Sequence, residues 1–350
     1  MSVHLHAEQQ VMGLSRYASA ARGADGRFYL SWINMVDKQL SSYPLPGRAH
    51  HVVAHPDKPW LFVVARRPQQ WIEVIDTHTG KSITQIRCDA DHQMCGHAQI
   101  TQNGRWLLST EQATNADEGL VVVRDIHNGF KVEQQWPTGG IGPHELRLSP
   151  DQRFLAVANG GILTEGREKL NLDSMSPSLA YLDMINGQLL DKVELGHAYH
   201  QSGIRHLDVA ADGRVIMAMQ YEGEAVDIVP LVATHRMGEA INSLAIPLEI
   251  YGQLKQYCGS ACFDISGRYA AVSAPRGGLV MLWDLSLDRL QGVVNINDGC
   301  GLAPTESAGE FLVSSGNGGL YRINSDELVR QQIPYEFEQP INWDNHLSII

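Results

Sequence analysis

The chain has 350 residues, of which 27 are Lys or Arg and 39 are Asp or Glu, giving a formal net charge of −12. That balance, with the basic residues spread thinly, argues against a nucleic-acid partner. No run reaches the roughly 18 apolar residues that a membrane-spanning helix needs, so the chain is not expected to span a membrane.

The first residues, MSVHLHAEQQ, lack a charged-then-apolar export signal. Read literally, this predicts a cytoplasmic protein; a mature form whose signal has been removed would be periplasmic. His4 and His6 form an HxH pair best read as part of a solvated tail. From there a turn of the form Asp/Asn-Gly-Arg-aromatic recurs. Clear copies are ADGRF at Asp25, QNGRW at Asn103, PDQRF at Asp151, ADGRV at Asp212 and ISGRY at Ser266; PDKPW at Asp57 and SAGEF at Ala308 are weaker ones. A half-polar run precedes each turn (HHVVAHPD, GHAQITQN, RHLDVAAD) and an apolar run follows it (LFVVA, LAVAN, AAVSA). Further on comes a third strand-like run closed by a polar turn, as in WIEVIDTHTG and GGLVMLWDLS. The best helical candidate, Glu239 to Gln256, is broken by Pro247. Seven units of three to four short strands predict an all-β fold, a seven-bladed β-propeller, with residues 1–350 as a single domain. The segment after the last unit, including WDNHL, is expected to return to the first blade and close the ring, with a structural role for His346.

In a propeller the starts of the first strands and the ends of the second strands meet at one mouth. Aligned on the turn, the position six before it holds Ser19, His51, His97, Glu145, His206, Ser260 and Leu302. The position before that holds Ala18, His50, Gly96, His144, Arg205, Gly259 and Gly301, and Cys95, Cys258 and Cys300 lie one further back. Glu111, Asn159, Gln220 and Arg276 end second strands. Imidazole, thiolate and carboxylate are the ordinary ligands of transition metals. The candidate metal residues are therefore His51, His97, His144, Glu145 and His206, with Cys95, Cys258, Cys300 and Glu111 as weaker ones. His50 sits beside this set, and His197 and His200 lie on the approach to the mouth. A wet channel lined with histidine for structural reasons is the competing reading, and buried cysteine is often only a small apolar residue.

Five cysteines do not make a disulfide framework, and a strand places Cys258 and Cys262 about 13 Å apart, too far to bridge. Cys88 and Cys262 receive no function. The insertion GREKLNLDSM, Gly166 to Met175, is expected over the mouth, where Arg167 and Lys169 offer positive charge. There is no P-loop, GxGxxG, GxSxG or HExxH, and no CxxCH. No nucleotide cofactor and no covalently attached haem are expected, and a non-enzymatic role is preferred.

GPHELRLSPDQRFLAVANGGILT, REKLNLDSMSPSLAYLD, IRHLDVAADGRVIMAMQYEG and YCGSACFDISGRYAAVSAPRGG resemble a bacterial family of unknown function. The resemblance runs from about Gly13 to Leu347. It implies a propeller exported to the periplasm by a twin-arginine signal, encoded near imelysin-type lipoproteins and a di-haem oxidoreductase in iron-uptake clusters. Proteins of such a system are then the implied partners. The resemblance also falls on His51, His97, His144 and His206. The resulting expectation is a periplasmic propeller that binds iron or copper at its axial mouth, accessory to iron uptake, with Glu111 orienting a ligand. A protein-interaction scaffold without metal is the first alternative. A lactonase-like or oxidoreductase propeller is the second, since only Glu145 and Asn159 match the carboxylate and Asn ligands of a lactonase axis.

Overall fold

A computed structural model describes residues 16–114, 117–165, 168–336 and 340–350. Each repeat folds as an antiparallel sheet of four strands, and seven such sheets close into a propeller. The second blade is typical. Its strands are Ala49–Ala54, Trp60–Ala65, Trp71–Asp76 and Lys81–Arg87, running from the axis outward. The inner strands of the third to seventh blades are His92–Ile100, Pro143–Leu148, Ser202–Val209, Ser260–Phe263 and Gly299–Pro304. Facing sheets bury β-branched and aromatic side chains against one another, as where Trp283 of the sixth blade packs into the cluster containing Leu231, Val232 and Cys258.

The first blade is assembled from both ends of the chain. Arg16–Gly23 pairs outward with Phe28–Asn34, which pairs with Leu40–Leu45, and inward with Ile341–Trp343 and Ser348–Ile349. The C-terminal segment is thus the inner strand of the ring's first blade. One consequence separates ADGRF from the other six turns. It joins the second and third strands of its blade rather than the first and second, so Ser19 lies on a second strand, outside the axial row.

The recurring turn has a local cause. Its Asp or Asn side chain accepts the backbone N–H two residues on, as Asn103 does from Arg105 (3.1 Å) and Asp212 from Arg214 (3.0 Å), while Gly104 and Gly213 take the positive φ (66° and 79°) the turn needs. The turn's arginine then reaches the end of the third strand in two blades. Arg105 Nη2 donates to Asp125 (3.1 Å) and Arg268 Nη2 to Asp284 (2.6 Å). Asp284 is buried and also accepts from the Ser286 N–H and hydroxyl. The Arg268 hydrogen bonds hold its carboxyl below the usual carboxylate range. A depressed carboxylate stabilises the fold at pH above its unfolded value of about 3.9 and loses that contribution as pH falls. Asp284→Asn should therefore lower stability by about 1–3 kcal/mol at pH 7, and by less at pH 3, in paired urea titrations. Equal losses at both pH values would contradict the assignment.

The segment Glu239 to Gln256 is helical only over Leu248–Leu254, the one α-helix among the described residues, which starts directly after Pro247. The insertion in the fourth blade forms a two-stranded ribbon, Thr164–Glu165 with Glu168–Lys169. Arg167 lies outside the described residues, as do His4 and His6.

Candidate metal centre

Five inner strands bulge at the same place. The pairing register slips between Ala49 and His51, Met94 and Ala98, Pro143 and Leu146, Ile204 and His206, and Gly299 and Gly301. A bulge turns side chains that would alternate across a strand towards the same region. Here it lets neighbours such as His50 and His51, or His144 and Glu145, both join one axial group. Gly96 serves the same packing. Its φ is 107°, and a Cβ there would lie 2.6 Å from the His50 ring.

Once the C-terminal strand takes its place, the axial row reads His346, His51, His97, Glu145, His206, Ser260 and Leu302. The neighbouring row reads Asn345, His50, Gly96, His144, Arg205, Gly259 and Gly301. Six imidazoles converge as a result. His97 is central, with ring centroids 4.9 Å from His50, His51 and His144, 4.6 Å from His346 and 5.8 Å from His206. His346 lies 4.6 Å from His50 and 4.9 Å from His206. Two sets offer ligand atoms all within 4.8 Å of one another: His97, Glu145, His206 and His346, and His50, His97 and His144.

A tetrahedral ion with metal–nitrogen bonds near 2.1 Å sets its ligand atoms about 3.4 Å apart. The Nε2 atoms of His50 and His346 are already 3.3 Å apart. That pair links the two sets, one member in each.

Protonation suits the same chemistry. Burial pushes all six imidazole pKa values down, reinforced by the neighbouring imidazoles and arginines; His206 and His346 fall to about 3. At neutral pH these rings are uncharged and keep a nitrogen lone pair for a ligand. Glu145 organises one of them. It accepts from His206 Nδ1 (3.0 Å), from the Leu207 N–H (3.3 Å) and from Arg147 Nη2 (2.9 Å). The His206 proton is thereby fixed on Nδ1 and Nε2 is left free, the arrangement by which a carboxylate orients a metal-binding histidine. His97 differs. It is fully buried, and neither ring nitrogen has a hydrogen-bond partner among the described residues; Glu145 stands 3.8 Å from its Nδ1.

The other sequence candidates lie outside both ligand sets. His51 stacks on His97 but belongs to neither ligand set, and it lines a cavity on the opposite side of the histidine layer. Cys95, Cys258 and Cys300 are buried free thiols outside both sets; burial pushes their pKa up, to about 12 for Cys95 and Cys258, which keeps them protonated. Glu111 does not orient a ligand of the cluster. Its carboxylate is held by Arg124 Nη1 (2.6 Å), Ser109 Oγ (2.8 Å) and His92 Nδ1 (3.4 Å). Asn159 donates to the Thr138 carbonyl and Ser178, and Gln220 to the Cys258 carbonyl. His197 and His200 pair with each other away from the cluster.

His346 is the ligand candidate that sequence reading placed in a structural role. The signal was present, because NHLSI repeats the pattern of RHLDV and HHVVA. No Asp-Gly-Arg turn follows it to serve as an anchor.

No curated protein matches the sequence. Among solved structures, the hydrazine synthase of Kuenenia stuttgartiensis is similar in fold, with a TM-score of 0.63 over 90% of this chain and 94% of that chain. At 14% identity, that likeness shows the propeller fold alone. A family described as "protein of unknown function (DUF1513)" matches residues 43–350, and the chain belongs to that family.

Proposed function

We propose that this propeller binds one transition-metal ion, iron or copper, in the axial histidine cluster and acts as a periplasmic accessory protein in metal uptake. His97 carries the reading. Leaving two buried polar atoms without partners costs about 1–3 kcal/mol each, a cost the chain recovers only if something binds them. His206 and His346 complete the set, with Glu145 orienting His206, and His50 and His144 offer a second face to the same ion. Uncharged imidazoles suit copper and iron alike. The family resemblance favours iron as cargo and the periplasm as location.

Protein purified without a histidine tag and loaded with Fe(II) or Cu(II) should hold one ion per chain by elemental analysis. The His97→Ala and His206→Ala variants should lose it. Unchanged metal content in both would refute the proposal.

A further inference from the structure

The histidine layer forms part of the floor of a cavity of about 670 Å³ at the axial mouth. Among the described residues, six cationic side chains line this cavity, Arg48, Arg66, Arg67, Lys169, Arg205 and Arg276, and no carboxylate does. In a chain whose formal charge is −12, such a concentration of one sign is a local design and not a reflection of composition. Two of the cations are spoken for from behind: Arg48 by Asp344 (2.6 Å) and Lys169 by Glu222. Arg66 touches Asp344 only at 3.9 Å. Among the described residues, Arg67, Arg205 and Arg276 form no ion pair; Arg276 instead stacks 4.0 Å over the Tyr257 ring.

Arg205 is the telling residue. It is 8% exposed, and its Nε has no hydrogen-bond partner among the described residues. A guanidinium largely withdrawn from water with no carboxylate in ion-pair reach is expensive, and chains keep such a group where a ligand supplies the missing charge. Its planar fork fits carboxylate and phosphate oxygens. Arg67 and Arg66 come from the end of the second blade's second strand and Arg205 from the inner strand of the fifth, so the cations reach the cavity from different blades. That arrangement suits an anion with more than one charged group.

We propose that this cavity binds a small multivalent oxyanion, a polycarboxylate or a phosphate, through Arg205, Arg67 and Arg66. The anion would rest on His50, His144 and His206, against the ion of the proposed function. The arginines themselves are not ligands of that ion, so the two proposals can fail separately on metal-free protein.

The test is calorimetric titration of metal-stripped, tag-free protein with citrate and, separately, with inorganic phosphate at low ionic strength. The expected result is saturable 1:1 binding of one of them, weakened about ten-fold or more by Arg205→Gln and by Arg67→Gln, and unchanged by Lys131→Gln on the far surface. Citrate binding without phosphate binding identifies a polycarboxylate site, and the reverse a phosphate site. Thermal melts separate a ligand-binding arginine from a structural one. Arg205→Gln should melt at or above wild type without anion and should lose the upward shift that the bound anion gives wild type. No binding of either anion, equal affinity in the two arginine variants, or a large drop in the melting temperature of anion-free Arg205→Gln would overturn the proposal.

Discussion

His97→Ala is expected to lower metal affinity by more than about 100-fold, with little change in the fold. Residues that only support a ligand cost up to about 100-fold when removed, and a ligand at the centre of the cluster should exceed that. His97 belongs to both candidate ligand sets, so no alternative set survives its loss intact. His206→Ala should fall in the same range. Glu145→Gln should cost less, about 10–100-fold, because it perturbs the orientation of His206 rather than removing a donor. His78→Ala, on the exposed surface of the second blade, should change nothing. Because His97 has no hydrogen bond to lose, its alanine variant should stay folded by circular dichroism and melt close to wild type. A variant that unfolds would point to a purely structural histidine layer.

Arg124→Met should destabilise the protein by about 3–5 kcal/mol, for the opposite reason. Arg124 is 1% exposed and its partner Glu111 is fully buried, 2.6 Å away. Burial alone would raise the Glu111 carboxyl; the hydrogen bond from His92 and the Arg124 charge outweigh it and hold that carboxyl below its ordinary range. Removing Arg124 leaves a buried carboxylate supported only by Ser109 and His92. The double variant Glu111→Gln with Arg124→Met should recover most of the loss, since no buried charge is then left unmatched. The single variant should also suffer less at acid pH, where Glu111 takes up a proton. Urea midpoints of the two singles and the double, at pH 7 and pH 5, read both effects. A double variant as unstable as the sum of the singles would mean that the pair is not the source of the cost.

The two predictions mark where sequence reasoning reached and where it stopped. The propeller was legible because its turn is a local structure with fixed chemistry, an Asp or Asn side chain closing over a glycine, repeated around the ring. The histidine row followed wherever that turn supplied a register: His97, Glu145 and His206 fall within hydrogen-bonding or ligand distance of one another. Closure of the first blade by the C-terminal segment was legible, but that blade's register was not, because no such turn follows its inner strand. Ser19 took the place that His346 holds.

Glu111 showed a different limit. Its position at the end of a second strand is a matter of spacing, but its partner Arg124 lies on the neighbouring third strand and its role is decided by that cross-strand contact. The cationic mouth was legible only in part, since the turn register put Arg205 and Arg276 there and the insertion Lys169, while Arg48, Arg66 and Arg67 fall outside those positions. Arg66, Arg67, Arg205 and Arg276 are dispersed in sequence and form no basic stripe; only ring closure gathers them around one axis. The bulges that aim His50 and His51, or His144 and Glu145, into one group likewise leave no mark in a residue pattern of period two.

The central claim is that the axial imidazoles hold a metal ion, and anomalous diffraction from crystals of the tag-free protein soaked in Fe(II) or Cu(II) tests it most directly. The account predicts a single strong anomalous peak inside the histidine layer, about 2.1 Å from nitrogens of His97 and of at least two among His206, His346, His50 and His144. Peaks confined to surface sites such as His197 and His200, with the axial cluster dark at saturating metal, would contradict it.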